Sequence, residues 1–150
     1  MEILQYSQAD WPALQEIHDL ARMQELSLAG LKAAFVPLDL AAEREGLFDY
    51  RVYVAKEDQP VGFVAFTEDE LAWLYVHPDH QHRGVGRALA QFALEHMAEG
   101  DQTVEVLAGN EPARSLYRSL GFTEEQLLHG HMPGNEEFEV SAWQMTRRQD

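Results

Sequence analysis

The hydrophobic period of this chain changes twice between Glu70 and Leu107, and few folds accommodate that. Glu70 to Val76 reads as a strand, the third in succession. After Pro78 the period lengthens: Val85, Ala88, Leu89, Phe92, Ala93 and Met97 fall on one face of a helix, with Gly100 as its stop. Gln102 to Leu107 then reads as a strand again. Such a strand–helix–strand unit belongs in the middle of an α/β sheet.

The flanking segments supply the rest of that sheet. Glu2 to Tyr6 reads as a short strand, and Ser7-x-x-Asp10 as a capping-box helix start. Leu14, Ile17, His18 and Ala21 carry the helical spacing onward. Residues 28–47 read as a shorter helix and a loop, broken at Pro37. Tyr50 to Ala55 and Val61 to Phe66 form a hairpin across Glu57-Asp58-Gln59-Pro60. Asn110 caps a helix whose inner face is Ala113, Leu116, Tyr117 and Leu120, with Gly121 as its stop. Phe122 to His131 and Glu136 to Met145 pair antiparallel across Pro133-Gly134-Asn135. The expected fold is α/β: a mixed, mostly antiparallel sheet flanked by helices, with a central β-α-β unit. With 150 residues and no linker, repeat or low-complexity tract, one domain over 1–150 is expected.

Charge and composition exclude several function classes. The chain carries 26 acidic and 11 basic side chains, a formal net charge of −15. That sign argues against nucleic acid and against anionic membrane surfaces as partners. It favours a cationic substrate by steering, or reflects only a well-solvated surface. With no cysteine there is no disulfide, thiolate metal site or cysteine nucleophile. The first residues carry no basic leader, and no apolar run approaches a membrane span, so a soluble, cytoplasmic protein is expected.

The chemistry concentrates in Gln81-His82-Arg83-Gly84-Val85-Gly86-Arg87, between a strand and a helix. Two glycines one residue apart allow a tight turn and a close approach of backbone to ligand. The first N–H groups of a helix lack internal partners, and its dipole favours an anion. Arg83 and Arg87 add charge suited to phosphate. The loop reads as a pyrophosphate cradle or as ordinary glycine punctuation. A P-loop run is missing, and a G-x-G-x-x-G fingerprint fails because Leu89 stands at its third glycine. Between Lys56 and Arg147 the only basic residues are Arg83, Arg87, Arg114 and Arg118, a clustering that suggests a local anion site.

Gln81-x-x-Gly84-x-Gly86 resembles the Q/R-x-x-G-x-G/A signature of the GNAT acetyltransferase superfamily. Leu74-Tyr75-Val76-His77-Pro78 resembles that family's cofactor strand. Asn110-x-x-Ala113-x-x-Leu116-Tyr117-x-x-Leu120-Gly121-Phe122 resembles its second motif. The resemblance implies acetyl-CoA lying where the strands at 70–76 and 102–107 splay apart. Amides from His82 to Arg87, including those of Gly84, Val85 and Gly86, would hold the pyrophosphate. Main-chain groups of Leu74 and Val76, on either side of Tyr75, would pair with the pantetheine arm, and Asn110 would bond near it.

Amine acetylation requires loss of a proton from the amine, donors for the oxyanion and a proton for the leaving thiolate. Tyr117 matches the family's tyrosine acid, or is a core tyrosine on the inner face of its helix. Glu70 and Glu105 stand where family members carry a base; either reads equally as a solvated strand residue, and Glu70 is expected on the strand face of Ala72, Leu74 and Val76. His77, His80 and His82 read as loop histidines rather than metal ligands, and no metal is expected. His129 and His131 are candidates for acceptor contact or proton relay. The implied activity is direct transfer of acetyl from CoA to a primary amine of a small molecule or protein, with a cationic acceptor favoured by charge. The alternative is a non-catalytic CoA-binding sensor or interaction module on the same fold. The exposed edges of the sheet suggest a homodimer.

Overall fold

A computed structural model of the chain describes residues 1–149. Strands β1 (Glu2–Gln5), β2 (Arg51–Glu57), β3 (Gln59–Phe66), β4 (Glu70–Val76), β5 (Gln102–Leu107), β6 (Thr123–Met132) and β7 (Asn135–Arg147) form one sheet. Helices α1 (Trp11–Ala29), α2 (Leu38–Glu45), α3 (Val85–His96) and α4 (Glu111–Ser119) flank it. The strand order is β1-β2-β3-β4-β5-β7-β6. Every neighbouring pair is antiparallel except β4–β5, the pair joined by the α3 crossover.

Local signals explain the helix boundaries. The Asp10 carboxylate accepts from the Ser7 backbone N–H at 3.0 Å, which stabilises the turn that leads into α1. Gly30, at φ 72°, ends α1 in the left-handed conformation open to glycine. Residues 28–47 resolve into the end of α1, a 3-10 turn and α2, which starts after Pro37. The Leu38 amide donates to Asp19 Oδ1 at 2.9 Å and so fixes α2 against α1. α3 stops at His96, ahead of the expected stop at Gly100. β7 runs longer than expected, to Arg147, because it pairs with β5 on one edge and β6 on the other.

Two cores cover the two faces of the sheet. Leu71, Val104 and Val106 pack with Leu89, Ala93 and Tyr117 beneath α3 and α4. Leu14, Ile17, Leu38, Phe63 and Trp73 pack beneath α1 and α2. A β-bulge sets how β4 is shared between them. Ala65 pairs with Trp73 but Phe66 pairs with Leu71, so Ala72 is an extra residue. The bulge reverses the alternation: Leu71, Leu74 and Val76 pack on the α3–α4 side, Trp73 and Tyr75 on the α1–α2 side. This corrects the expected face of Glu70. It lies beside Trp73 and Tyr50, opposite Leu74 and Val76, because simple alternation does not survive the extra residue.

Gly62 marks where β3, β4 and α3 meet most closely. A Cβ there would stand 2.9 Å from the Tyr75 carbonyl oxygen and 3.0 Å from Leu89 Cδ1. Gly62→Ala is therefore expected to destabilise the fold by about 1–3 kcal/mol, the usual cost of overpacking. Thermal unfolding checks this: each kcal/mol lowers the Tm of a domain of this size by roughly 2–4 °C.

Candidate active site

β4 and β5 pair only at Glu70–Thr103 and Leu71–Val104, then diverge. β5 pairs with β7 along its other edge from Gln102 to Leu107, and beyond Leu71 and Val104 the facing edges of β4 and β5 border a wedge. The His77 amide donates to the Val61 carbonyl on the β3 side at 2.8 Å. By antiparallel alternation, the backbone groups of Leu74 and Val76 point the other way, into the wedge. Val76 offers less than expected, since its carbonyl already accepts from Gln81 Nε2 at 3.1 Å. Gln81 Nε2 also reaches Gln24 Oε1 at 2.8 Å and so ties the loop to α1. Tyr75 turns its side chain the opposite way, and its hydroxyl donates to Glu25 Oε1 at 3.3 Å.

The loop ends in an open helix terminus. His82 (φ 65°) and Gly84 (φ 86°) both take left-handed backbone. Gly84 caps α3 without a side chain, and the first amide to find a helical acceptor is that of Ala88, on Gly84. The amides of Val85, Gly86 and Arg87 are thus available to an anion. Val85 buries its side chain in the core, so its amide is what it can offer. A Cβ at Gly86 would lie 3.6 Å from Val76 Cγ2 and 4.0 Å from Leu116 Cδ2, between β4 and α4.

The four arginines do not form the single anion site expected. Arg114 and Arg118 are both engaged by Glu124, and Arg114 also by Glu111, with its guanidinium 4.7 Å from the centre of the Trp143 ring. Arg118, followed by Arg114, holds the Glu124 carboxyl down to about 2. Only Arg83 and Arg87 remain at the loop, and Arg87 donates to Ser119 Oγ at 2.8 Å. Their spacing reflects a helix–strand contact in one pair and the loop in the other.

The wedge opens into a cavity of about 470 Å³ beneath α1 and α2. Tyr117, 5% exposed, reaches it from α4 and packs edge-on against Phe122. Burial, reinforced by the charge of Glu25, pushes the Tyr117 hydroxyl above its ordinary value. Asn110 is engaged at both ends of its side chain: Oδ1 accepts from the Ala113 amide at 3.3 Å, and Nδ2 donates to Glu25 Oε2 at 3.1 Å. Any bond from Asn110 to a cofactor would require one of these to be exchanged. Glu105, His129 and His131 also line the cavity.

A second cleft joins the first through Glu45, Ala72, Trp73, Glu105 and Pro133. It holds both expected base candidates, Glu70 and Glu105, on adjacent strands, together with Glu45 and Glu136. Burial, then the charge of Glu105, raises the Glu70 carboxyl above the usual carboxylate range. Among the described residues, no three His, Asp or Glu side chains gather as a metal would require. No helix among them is long and apolar enough to cross a membrane.

Three polar residues of the cavity escaped the sequence reading: Arg22, Glu25 and Glu45. The signal was there. Glu25 continues the buried α1 positions Leu14, His18 and Ala21 at helical spacing, and Glu45 continues Leu38, Ala41 and Ala42 on α2. A charged residue in phase with an apolar face either finds a partner or lines a site. Glu25 finds Arg22, Tyr75 and Asn110.

Known proteins share this architecture. The GCN5-related N-acetyltransferase (aminotransferase, class II) of Rhodopseudomonas palustris superposes with a TM-score of 0.79 at 22% identity, covering 99% of this chain and 95% of that one. The Salmonella typhimurium protein yncA, solved with its cofactor acetyl-CoA, superposes with a TM-score of 0.70 at 24% identity, covering 100% and 94%. The peptidyl-lysine N-acetyltransferase YjaB of Escherichia coli is 38% identical over 71 residues, 47% of each chain. The chain spans less than half the length of the curated relatives it matches. The acetyltransferase (GNAT) domain model matches residues 48–124, just over half of the 150-residue chain. That stretch holds the β4–β5 fork, the open α3 terminus and the α4 tyrosine; the chain belongs to the GNAT acetyltransferase family.

Proposed function

We propose that this protein transfers acetyl from acetyl-CoA directly to a primary amine. The observation that carries the reading is the fork: β4–β5 pairing ends at Leu71–Val104, which leaves backbone donors and acceptors along one wall of a wedge. A pantetheine arm can complete that unpaired edge as a strand would. The amides at the head of α3, with Arg83 and Arg87 beside them, suit the pyrophosphate. Tyr117 is the acid that protonates the leaving thiolate. A tyrosine hydroxyl is protonated at neutral pH and so has a proton to give.

The acceptor enters from the other side of the fork. The cleft that holds Glu45, Glu70, Glu105 and Glu136 suits an ammonium group, which must shed a proton before it can attack. A cationic acceptor agrees with the chain's charge of −15. The relative YjaB acts on peptidyl-lysine, so protein amines stand beside small amines as acceptors to be tested.

Calorimetry with acetyl-CoA, using ATP and NADH as controls, tests the donor site without knowledge of the acceptor. Saturable heat with acetyl-CoA alone is expected. CoA release is then followed with spermidine, a lysine peptide and a peptide with a free N-terminal alanine. Binding without turnover of any amine would favour the sensor reading; no binding at millimolar acetyl-CoA would overturn both.

A further inference from the structure

On the acetyltransferase reading above, we propose that Glu45, at the end of α2, is the general base that takes the proton from the acceptor's ammonium group. Two carboxylates stand where the cavity meets the acidic cleft, Glu45 and Glu105; Glu45 is half-buried there and Glu105 is exposed to solvent. Glu25 is held by Arg22, the Tyr75 hydroxyl and the Asn110 amide, three donors that engage both of its carboxylate oxygens. Glu70 pairs with Thr103 at the closed end of the fork and lines the acidic cleft but not the Tyr117 cavity. Glu45 lines both the Tyr117 cavity and the acidic cleft, at the passage between them.

The surroundings of Glu45 fix its position without neutralising it. Its carboxylate lies against the β6–β7 turn, where a Cβ on Gly134 would stand 3.2 Å from Oε2. The neighbouring Arg44 donates to the Gly134 carbonyl at 2.9 Å and clamps that turn to α2. Among the described residues, no hydrogen bond holds the Glu45 carboxylate. Arg22 faces it from α1 but is engaged by Glu25; Glu136 faces it from β7, and Glu70 and Glu105 share its cleft from β4 and β5. Burial, with Glu136 and Glu25 adding to it against Arg22, pushes the Glu45 carboxyl up to about 7. A base in that range is ionised often enough to accept a proton and basic enough to hold it.

The proton balance closes. The acceptor ammonium gives one proton to Glu45, directly or through one water. The neutral amine then forms its bond to the acetyl carbon, and the carbon–sulfur bond breaks. Tyr117 protonates the thiolate and is reloaded by the second proton leaving the nitrogen. Glu45 passes its proton to solvent, so one proton is released per amide formed.

The test is the pH profile of CoA release with spermidine and with the two peptides above. Wild-type kcat is expected to rise through a single limb near pH 7. Glu45→Gln should lose that limb and lower kcat by roughly 10²- to 10⁴-fold, with the Kd for acetyl-CoA unchanged. Glu45→Asp should restore part of kcat and shift the limb. Glu70→Gln and Glu105→Gln should act on KM for the cationic probe and keep the limb. His129 and His131 line the same cavity and are the competing candidates for a proton relay. A limb that persists in Glu45→Gln at wild-type kcat would overturn the assignment while leaving the acetyltransferase reading intact. No turnover of any probe by the wild type would overturn that reading and the assignment together.

Discussion

Gly86→Trp is expected to abolish acetyl-CoA binding while the protein remains folded. A side chain added at position 86 would project between Val76 on β4, which borders the wedge, and Leu116 on α4. That gap is where the donor's chain must pass if its pyrophosphate rests on the α3 amides. An added Cβ meets only ordinary contacts at 3.6 and 4.0 Å, so Gly86→Ala should fit and bind nearly as the wild type does. The helix itself gains slightly from alanine in place of glycine. An indole cannot fit in the same space without filling the wedge. The expected loss is roughly 100-fold or more in Kd, about 2.7 kcal/mol, read by calorimetry. Thermal unfolding and circular dichroism of both variants separate blockage from misfolding. A folded Gly86→Trp protein with wild-type Kd would remove the cradle from this loop.

The two periods of the sequence, and the residues that punctuate them, made most of the architecture legible. Pro78, Gly84 and Gly121 act locally, and each stands where β4, α3 or α4 gives way to a neighbour. The donor loop was legible for the same reason: its function rests on consecutive backbone amides. What escaped was set by register. Simple alternation placed Glu70 with Leu74, but one extra residue at Ala72 moved it to the opposite face, and no local signal marks that bulge. Clustering in sequence likewise misled for Arg114 and Arg118. Whether an arginine is free depends on what stands across from it, and Glu124 on β6 stands there. The acceptor side was the least legible because α1, α2 and the β6–β7 turn build it together. Asn135, in that turn, donates to the Ala34 carbonyl at 3.1 Å across a separation of 101 residues. Even so, Glu25 and Glu45 stand in phase with buried helical faces, a pattern visible without coordinates.

Tyr117→Phe is the sharpest test of the chemistry, because it removes one hydroxyl and little else. The ring is buried against Phe122 in the core beneath α3 and α4, and phenylalanine preserves that packing. The variant should therefore fold as the wild type does and bind acetyl-CoA with a similar Kd. Its kcat is expected to fall roughly 10²- to 10⁴-fold, about 3–5 kcal/mol of transition-state stabilisation, with KM for the acceptor little changed. A second hydroxyl in the cavity provides the control. Tyr75 donates a hydrogen bond to Glu25, so its hydroxyl is committed to a carboxylate and poorly placed to protonate a thiolate. Tyr75→Phe should loosen Glu25 and disturb acceptor KM more than kcat. If Tyr117→Phe turns over at the wild-type rate and Tyr75→Phe does not, the acid is Tyr75 and the proton reaches sulfur from the α1 side of the fork. If neither change lowers kcat, the thiolate leaves unprotonated, and catalysis rests on positioning and on deprotonation of the amine.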